Sequence, residues 1–217
     1  MISKEIEDLV RKFERNHSEY MSRRYIETQA RQEFINPFFE ALGWDIYNKQ
    51  GFPEAYKEVL HEPSLKINGN TVSPDYAFKI EDNIKFLVEA KKPSKSLKSN
   101  PDAEYQLRAY ARNTNLPIAI LTNFEEFIVY DCYSPPKKVD GIDITILCYL
   151  RYTEYLNYWD WISSNFSKLA VQQGSLDNFL KMSKEGNNKT YLEEITKWKK
   201  EAKQYQRDRV LLYSPGF

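Results

Sequence analysis

The chain has 217 residues, 41% of them hydrophobic and 15% aromatic, and its 31 basic and 31 acidic side chains give a net charge of zero. That length suits one domain with a sizeable core, and the composition excludes a disordered chain, a collagenous one and a blanket polycation. Zero net charge leaves nucleic-acid binding open, because a phosphate-binding face needs local charge.

Cys132 and Cys148 are the two cysteines; they cannot build a disulfide scaffold and stand in apolar runs, where core thiols are expected. His17 and His61 have no partner at metal-ligand spacing, which removes His-rich zinc chemistry. The seven glycines never fall at the spacing of a phosphate-binding P-loop or a dinucleotide fold. The opening MISKEIEDLVRKF mixes both charge signs, unlike a signal peptide, and no apolar run approaches the ~18 residues of a membrane span. The expectation is a cytoplasmic protein without a membrane contact.

In chain order, residues 2–20 and 25–42 carry helical periodicity, the second through the stripe Ile26, Ala30, Phe34, Phe38 and Leu42, stopped by Gly43. Pro37 inside that stripe predicts either a kink or a restart with Asn36 as cap. Strands are expected at 44–47, 56–61, 75–80 and 84–91, the last two joined by Glu81-Asp82-Asn83 as part of a meander. Asn100-Pro101 opens a helix to about Asn113. Short apolar runs at 117–121 and 126–132 read as buried strands, followed by one at 143–150. The remainder is helical, with an aromatic helix near 152–166 and a charged one near 192–207, and with seams at Gly174 and 184–189. Tyr152, Tyr155, Tyr158, Trp159 and Trp161 are expected in the core or a packing interface. The elements make an α/β sandwich.

The sharpest chemistry lies in Pro74-Asp75 followed by Glu89-Ala90-Lys91 at the end of an apolar run. Strand alternation puts Leu87, Glu89 and Lys91 on one face and Ile84, Phe86, Val88 and Ala90 on the other. An antiparallel partner strand would bring Asp75 to the same end. Two carboxylates hold a hard divalent cation such as Mg²⁺, with the Ala90 carbonyl completing the shell, and Lys91 would position a water or balance transition-state charge. That set suits phosphodiester hydrolysis. The bland alternative is a surface hairpin with an ordinary Glu and Lys, but a carboxylate inside a central apolar strand is costly without a ligand or partner.

Here the sequence resembles the PD-(D/E)XK nucleases, and within them the N-terminal nuclease domain of Type IIG and Type I restriction enzymes. RQEFINPFFEALGWDIYN, SPDYAF, FLVEAKKPS, QLRAYA and LTNFEEFIVYD stand in that family's order over Thr28 to Asp131. The resemblance implies a restriction-endonuclease-like α-β-β-β-α-β core, a central mixed sheet flanked by helices with extra C-terminal helices, and Mg²⁺-dependent DNA cleavage, with Mn²⁺ able to substitute. Asp75, Glu89 and Lys91 would be the catalytic triad, with Asp75, Glu89 and Ala90 on the metal.

Carried over as well, Glu33 would contact the metal directly or through water, unless it is a solvated charge beside the stripe. Gln106 and Tyr110, i and i+4 on one helical face, match the Q-x-x-x-Y element. A buried Gln106 would orient Lys91 or a phosphate; otherwise it is a satisfied polar neighbour of a core Tyr110. Lys92, Lys95 and Lys98 form the most basic loop of the chain and, with Arg108 and Arg112, would face DNA phosphates, with Tyr110 also on the DNA.

GSLDNFLKM resembles the start of the helical connector of Type IIG enzymes, so residues 1–172 are expected as the nuclease domain and 173–217 as a connector or truncated C-terminal segment. Methyltransferase and target-recognition domains, partners of the module in full-length relatives, have no motif here. Double-stranded DNA is the expected substrate, with a transient homodimer for cutting both strands. The competing readings are a non-cleaving DNA-binding or accessory subunit and, less suited to a basic loop, a small-molecule metallohydrolase.

Overall fold

The computed structural model describes residues 4–67, 69–97, 101–133 and 146–185, with backbone alone for residues 70 and 182–185. The expected charged helix at 192–207, Lys98, the Asn100 cap and the start of the 143–150 strand lie outside the described residues.

Helix α1 (Lys4–Arg15) buries Ile6, Leu9, Val10 and Phe13, the spacing of one helical face. It breaks at Asn16 before the short α2 (His17–Tyr20). The second expected helix runs through α3 (Glu27–Ala30), a π-turn at Arg31–Ile35 and α4 (Asn36–Ala41), with helical dihedrals throughout. Asn36 is therefore no cap. Its N–H bonds the carbonyl of Arg31, five residues back. Pro37 cannot donate to the carbonyl four residues back and its ring would strike it, and the widened turn makes room. Gly43 ends the helix at φ +85°, as expected.

No strand forms at 44–47. The Asp45 carboxylate accepts from the N–H groups of Lys49 at 2.8 Å and Gln50 at 3.1 Å and curls the chain into turns. Trp44 and Ile46 are buried all the same, and the Trp44 indole donates to the Phe166 carbonyl at 3.0 Å.

Strands β1 (Val59–His61), β4 (Tyr76–Ile80) and β5 (Asn83–Ala90) pair antiparallel as a meander, interrupted in sequence by a separate hairpin of β2 (Leu65–Ile67) and β3 (Asn70–Val72). Helix α5 (Pro101–Asn113) then crosses over to β6 (Ile118–Thr122), parallel to β5, and β7 (Glu126–Asp131) and β8 (Ile146–Arg151) extend the sheet antiparallel. The order β1-β4-β5-β6-β7-β8 is a six-stranded mixed sheet, and helix, three strands, helix, strand is the α-β-β-β-α-β core expected.

On one face α1, α3, α4, α6 (Tyr155–Phe166) and α8 (Ser175–Glu185) pack with Phe78, Phe86, Val88, Phe124 and Phe127; α7 (Lys168–Gln172) joins α6 to α8. On the other, α5 lays Ala103, Leu107 and Ala111 on Leu87, Leu121 and Ile128. Ile84 was expected beside Phe86, yet it packs on the α5 face. A bulge pairs Phe78 with Phe86 but Lys79 with Ile84, and that extra residue flips the parity. Cys132 and Cys148 are buried as expected, and burial pushes the Cys132 thiol up to about 12. Tyr152, Tyr155 and Trp159 are core, with Tyr158 and Trp161 packed against it. Leu176, Phe179 and Leu180 of α8 join the same cluster. Among the described residues no helix is long and apolar enough to cross a membrane.

Phe13 is fully buried against the rings of Tyr20, Phe34, Phe124 and Tyr152. Phe13→Ala is expected to cost about 3–5 kcal/mol in urea unfolding. A loss below about 1 kcal/mol would mean that α1 does not contribute to this core.

Candidate active site

The register that pairs Tyr76 with Val88 sets Asp75 opposite Glu89, just beyond the ladder between β4 and β5. The Ala90 N–H donates to Asp75 Oδ2 at 2.7 Å, and the charge of Asp75 acts on the Glu89 carboxyl. Lys91 continues from β5, tied to β6 by its own N–H on the Thr122 carbonyl at 2.9 Å. Its Nζ donates to Glu89 Oε1 at 2.7 Å and to the Ala90 carbonyl at 2.8 Å. The strand parity and the meander thus bring Asp75, Glu89, Ala90 and Lys91 to one end of the sheet.

Two side chains that sequence reasoning passed over complete the cluster. Arg31 Nη1 donates to Asp75 Oδ1 at 3.1 Å and to Glu62 at 2.8 Å. Its Nε donates to the Tyr76 hydroxyl at 3.1 Å, and Tyr76 in turn donates to Asn36 Oδ1 at 2.7 Å. Glu27 Oε2 stands 3.9 Å from Lys91 Nζ. Glu27 and Arg31 are four residues apart and precede Ala30 and Phe34 on the helix, a spacing that marks one face and was there to be read.

Other expected site residues stand elsewhere. Glu33 accepts from Lys12 of α1 at 2.9 Å and lies beside Tyr25; the acidic side chain that the helix presents to the cluster is Glu27. Gln106 is exposed rather than buried and donates to the Tyr110 hydroxyl, while Tyr110 packs partly on the α5 core. Arg108 does not reach a DNA-facing surface: it lies buried beside Leu107 on the inner side of α5, 3.4 Å from Glu104 and close to Tyr130 and Cys132. Arg112 is exposed and donates to the Tyr133 carbonyl. Lys92 is half-buried and Lys95 exposed, its charge felt by Glu27.

Burial, then the charge of Asp75, push the Glu89 carboxyl above its ordinary range, and Lys91 offsets this only in part. Burial also raises Glu27, against the pull of Lys91 and with the push of Asp75. Burial works to lower Lys91, but the charge and hydrogen bond of Glu89 outweigh it, so the ammonium is held charged. The oxygens of Asp75, Glu89 and Ala90 are hard donors of the kind that fit Mg²⁺ with water in its remaining positions. Among the described residues no group of three or more His, Cys, Asp or Glu is arranged to hold a metal ion.

Residues 56–138 match the family model of the Type I restriction enzyme R protein N terminus. The Type II restriction enzyme and methyltransferase RM.Eco57I of Escherichia coli is 35% identical over 176 residues, 80% of this chain and 18% of that one. The solved DrdV–DNA complex covers 81% of this chain and 13% of its own, with 16% identity and a TM-score of 0.40. The chain is thus similar to the N terminus of the Type I restriction enzyme R protein and to part of a Type II restriction enzyme and methyltransferase, and it spans less than a fifth of that curated relative.

A carboxyl raised by the fold adds its full stability below its unfolded pKa and loses it as pH rises through the folded one. Glu89→Gln, neutral and of the same shape, is therefore expected to melt higher than the wild type at pH 7, with the advantage shrinking as pH falls through the raised pKa of Glu89 and gone by about pH 4. A variant no more stable at pH 7 would contradict the crowding of Asp75 and Glu89.

Proposed function

We propose that the chain is a Mg²⁺-dependent DNA endonuclease module that hydrolyses phosphodiester bonds. The observation that carries the reading is the convergence of Asp75, Glu89 and Lys91 at one end of β4 and β5. In this reading Asp75, Glu89 and the Ala90 carbonyl hold the cation, and Glu27 supplies the acidic group on the first core helix in place of Glu33. The ion, when bound, polarises the phosphoryl oxygen, lowers the pKa of a bound water and stabilises the leaving oxygen.

The chain's own groups do the rest. Arg31 and the Ala90 N–H fix both oxygens of Asp75, so its carboxylate cannot rotate freely. Lys91 stays charged and is a donor only, so it orients the attacking water and balances the negative charge that builds on phosphorus. The new bond joins the water oxygen to phosphorus while one water proton passes to solvent, the bond to the leaving sugar oxygen breaks, and that oxygen takes up a proton from solvent. Lys92 and Lys95 contact the phosphates alongside. The relatives named above are restriction enzymes, one of them also a methyltransferase. Target recognition and methyl transfer are assigned in this reading to protein regions other than this chain, and cutting both strands to two copies acting together.

Lys91→Ala is expected to lower plasmid nicking by about 100-fold or more, and Glu89→Gln to abolish the heat of Mg²⁺ binding in calorimetry. Equal nicking by wild type and Lys91→Ala would reject the mechanism. Nicking by the wild type is also expected to ignore sequence and to fall steeply with salt, because phosphate contacts dominate. Discrete, reproducible plasmid fragments would show instead that base readout resides in these residues.

A further inference from the structure

The loop that follows Lys91 is fastened by a turn that the catalytic reading leaves unused. Between β6 and β7 the chain reverses at residues 122–126, part of the LTNFEEF segment. Asn123 is fully buried, and its Nδ2 donates to the carbonyls of Lys95 at 2.7 Å and Pro93 at 3.4 Å. Glu126 is buried too; its Oε2 accepts the Leu97 N–H at 2.7 Å and its Oε1 the Tyr149 hydroxyl at 2.8 Å. The two are themselves joined, the Glu126 N–H donating to Asn123 Oδ1 at 2.7 Å. Behind them Phe124 sits in the aromatic core, its carbonyl taken by the Tyr155 hydroxyl at 2.8 Å, and Glu125 bonds His17 of α2 at 2.8 Å and Arg151 at 2.5 Å. The turn is anchored on one side and grips the loop on the other.

A buried carboxylate is costly to keep unless its oxygens are bonded, and charge-assisted bonds to a loop amide fix that amide strongly. Three main-chain groups of the loop, at 93, 95 and 97, are gripped, and the same loop carries the half-buried Lys92 and the exposed Lys95. We propose that Asn123 and Glu126 are positioning residues that clamp the loop at 92–97 against the β6–β7 turn, so that Lys92 and Lys95 meet the phosphates of duplex DNA from a backbone fixed in advance. The proposal rests on the nuclease reading. Pre-ordering a segment removes the cost of ordering it on binding, and so it acts on affinity.

The test uses the full chain, a fluorescent duplex and hydrogen exchange at the Leu97 amide. Asn123→Ala and Glu126→Ala are expected to speed that exchange and to raise Kd for the duplex about 3- to 10-fold, with the loss in Kd exceeding any loss in kcat. Glu126→Gln, which keeps an oxygen for the Leu97 N–H, should restore both. In a Lys92→Ala, Lys95→Ala background, Asn123→Ala should change Kd by less than about twofold, since the clamp acts through those lysines. An equal rise in Kd with and without the lysines would overturn the proposal, as would fast exchange at Leu97 with Kd unchanged. If Asn123→Ala fails to fold, Glu126→Ala against Glu126→Gln makes the same comparison. A wild type that binds no duplex at all would overturn both the nuclease reading and the role toward DNA. Protected exchange at Leu97 in that chain would still show the clamp, so the two failures are told apart.

Discussion

The Asp75 carboxylate holds the working end of this molecule together. One oxygen takes the N–H of Ala90 as β5 leaves the ladder, and the other takes the guanidinium of Arg31 from the first core helix. Through Arg31 the grip extends to Tyr76 and Asn36, so strand, helix and the entrance to the sheet are set by one side chain. A largely buried carboxylate is tolerable because both of its oxygens are bonded, one of them by a cation.

Around that anchor the charges do not cancel. Asp75, Glu89 and Glu27 face Lys91 and Arg31, and Arg31 is shared with Glu62. Glu89 and Glu27 are both displaced toward holding a proton, by burial first and by the charge of Asp75 after it. A site with surplus negative charge behind low-dielectric walls favours the arrival of further positive charge. It is also poorly suited to meeting a phosphate without one.

Much of this was legible in the chain. The alternation in IKFLVEAKK located Glu89 and Lys91, the polar turn after Ile80 located the meander, and Pro101 located the start of α5. The failures have physical causes. At 44–47 the side chain of Asp45 competes with a ladder for backbone N–H groups, which an apolar pattern cannot reveal. Ile84 changed faces through a bulge that adds one residue without any change in composition. Arg108 was read as a surface cation because arginine usually is one, yet it lies one step from Leu107 on a helix whose inner face is wide enough to take both. Glu33 was chosen because it lies within the recognisable segment and Glu27 was passed over, whereas facing is decided by helical phase.

That phase has its own origin. In a regular α-helix each residue advances by about 100°, and a π-turn in effect inserts one residue. The turn at Arg31–Ile35 therefore decouples the two halves of the helix like a gear with one added tooth. Phe38 and Phe39 stay meshed with the sheet while Glu27 and Arg31 are rotated toward Asp75 and Lys91. Pro37, which forbids the regular turn, is then the pin that keeps the gear from slipping back, although it stands six residues beyond Arg31 and ten beyond Glu27, the charged groups whose aim it sets.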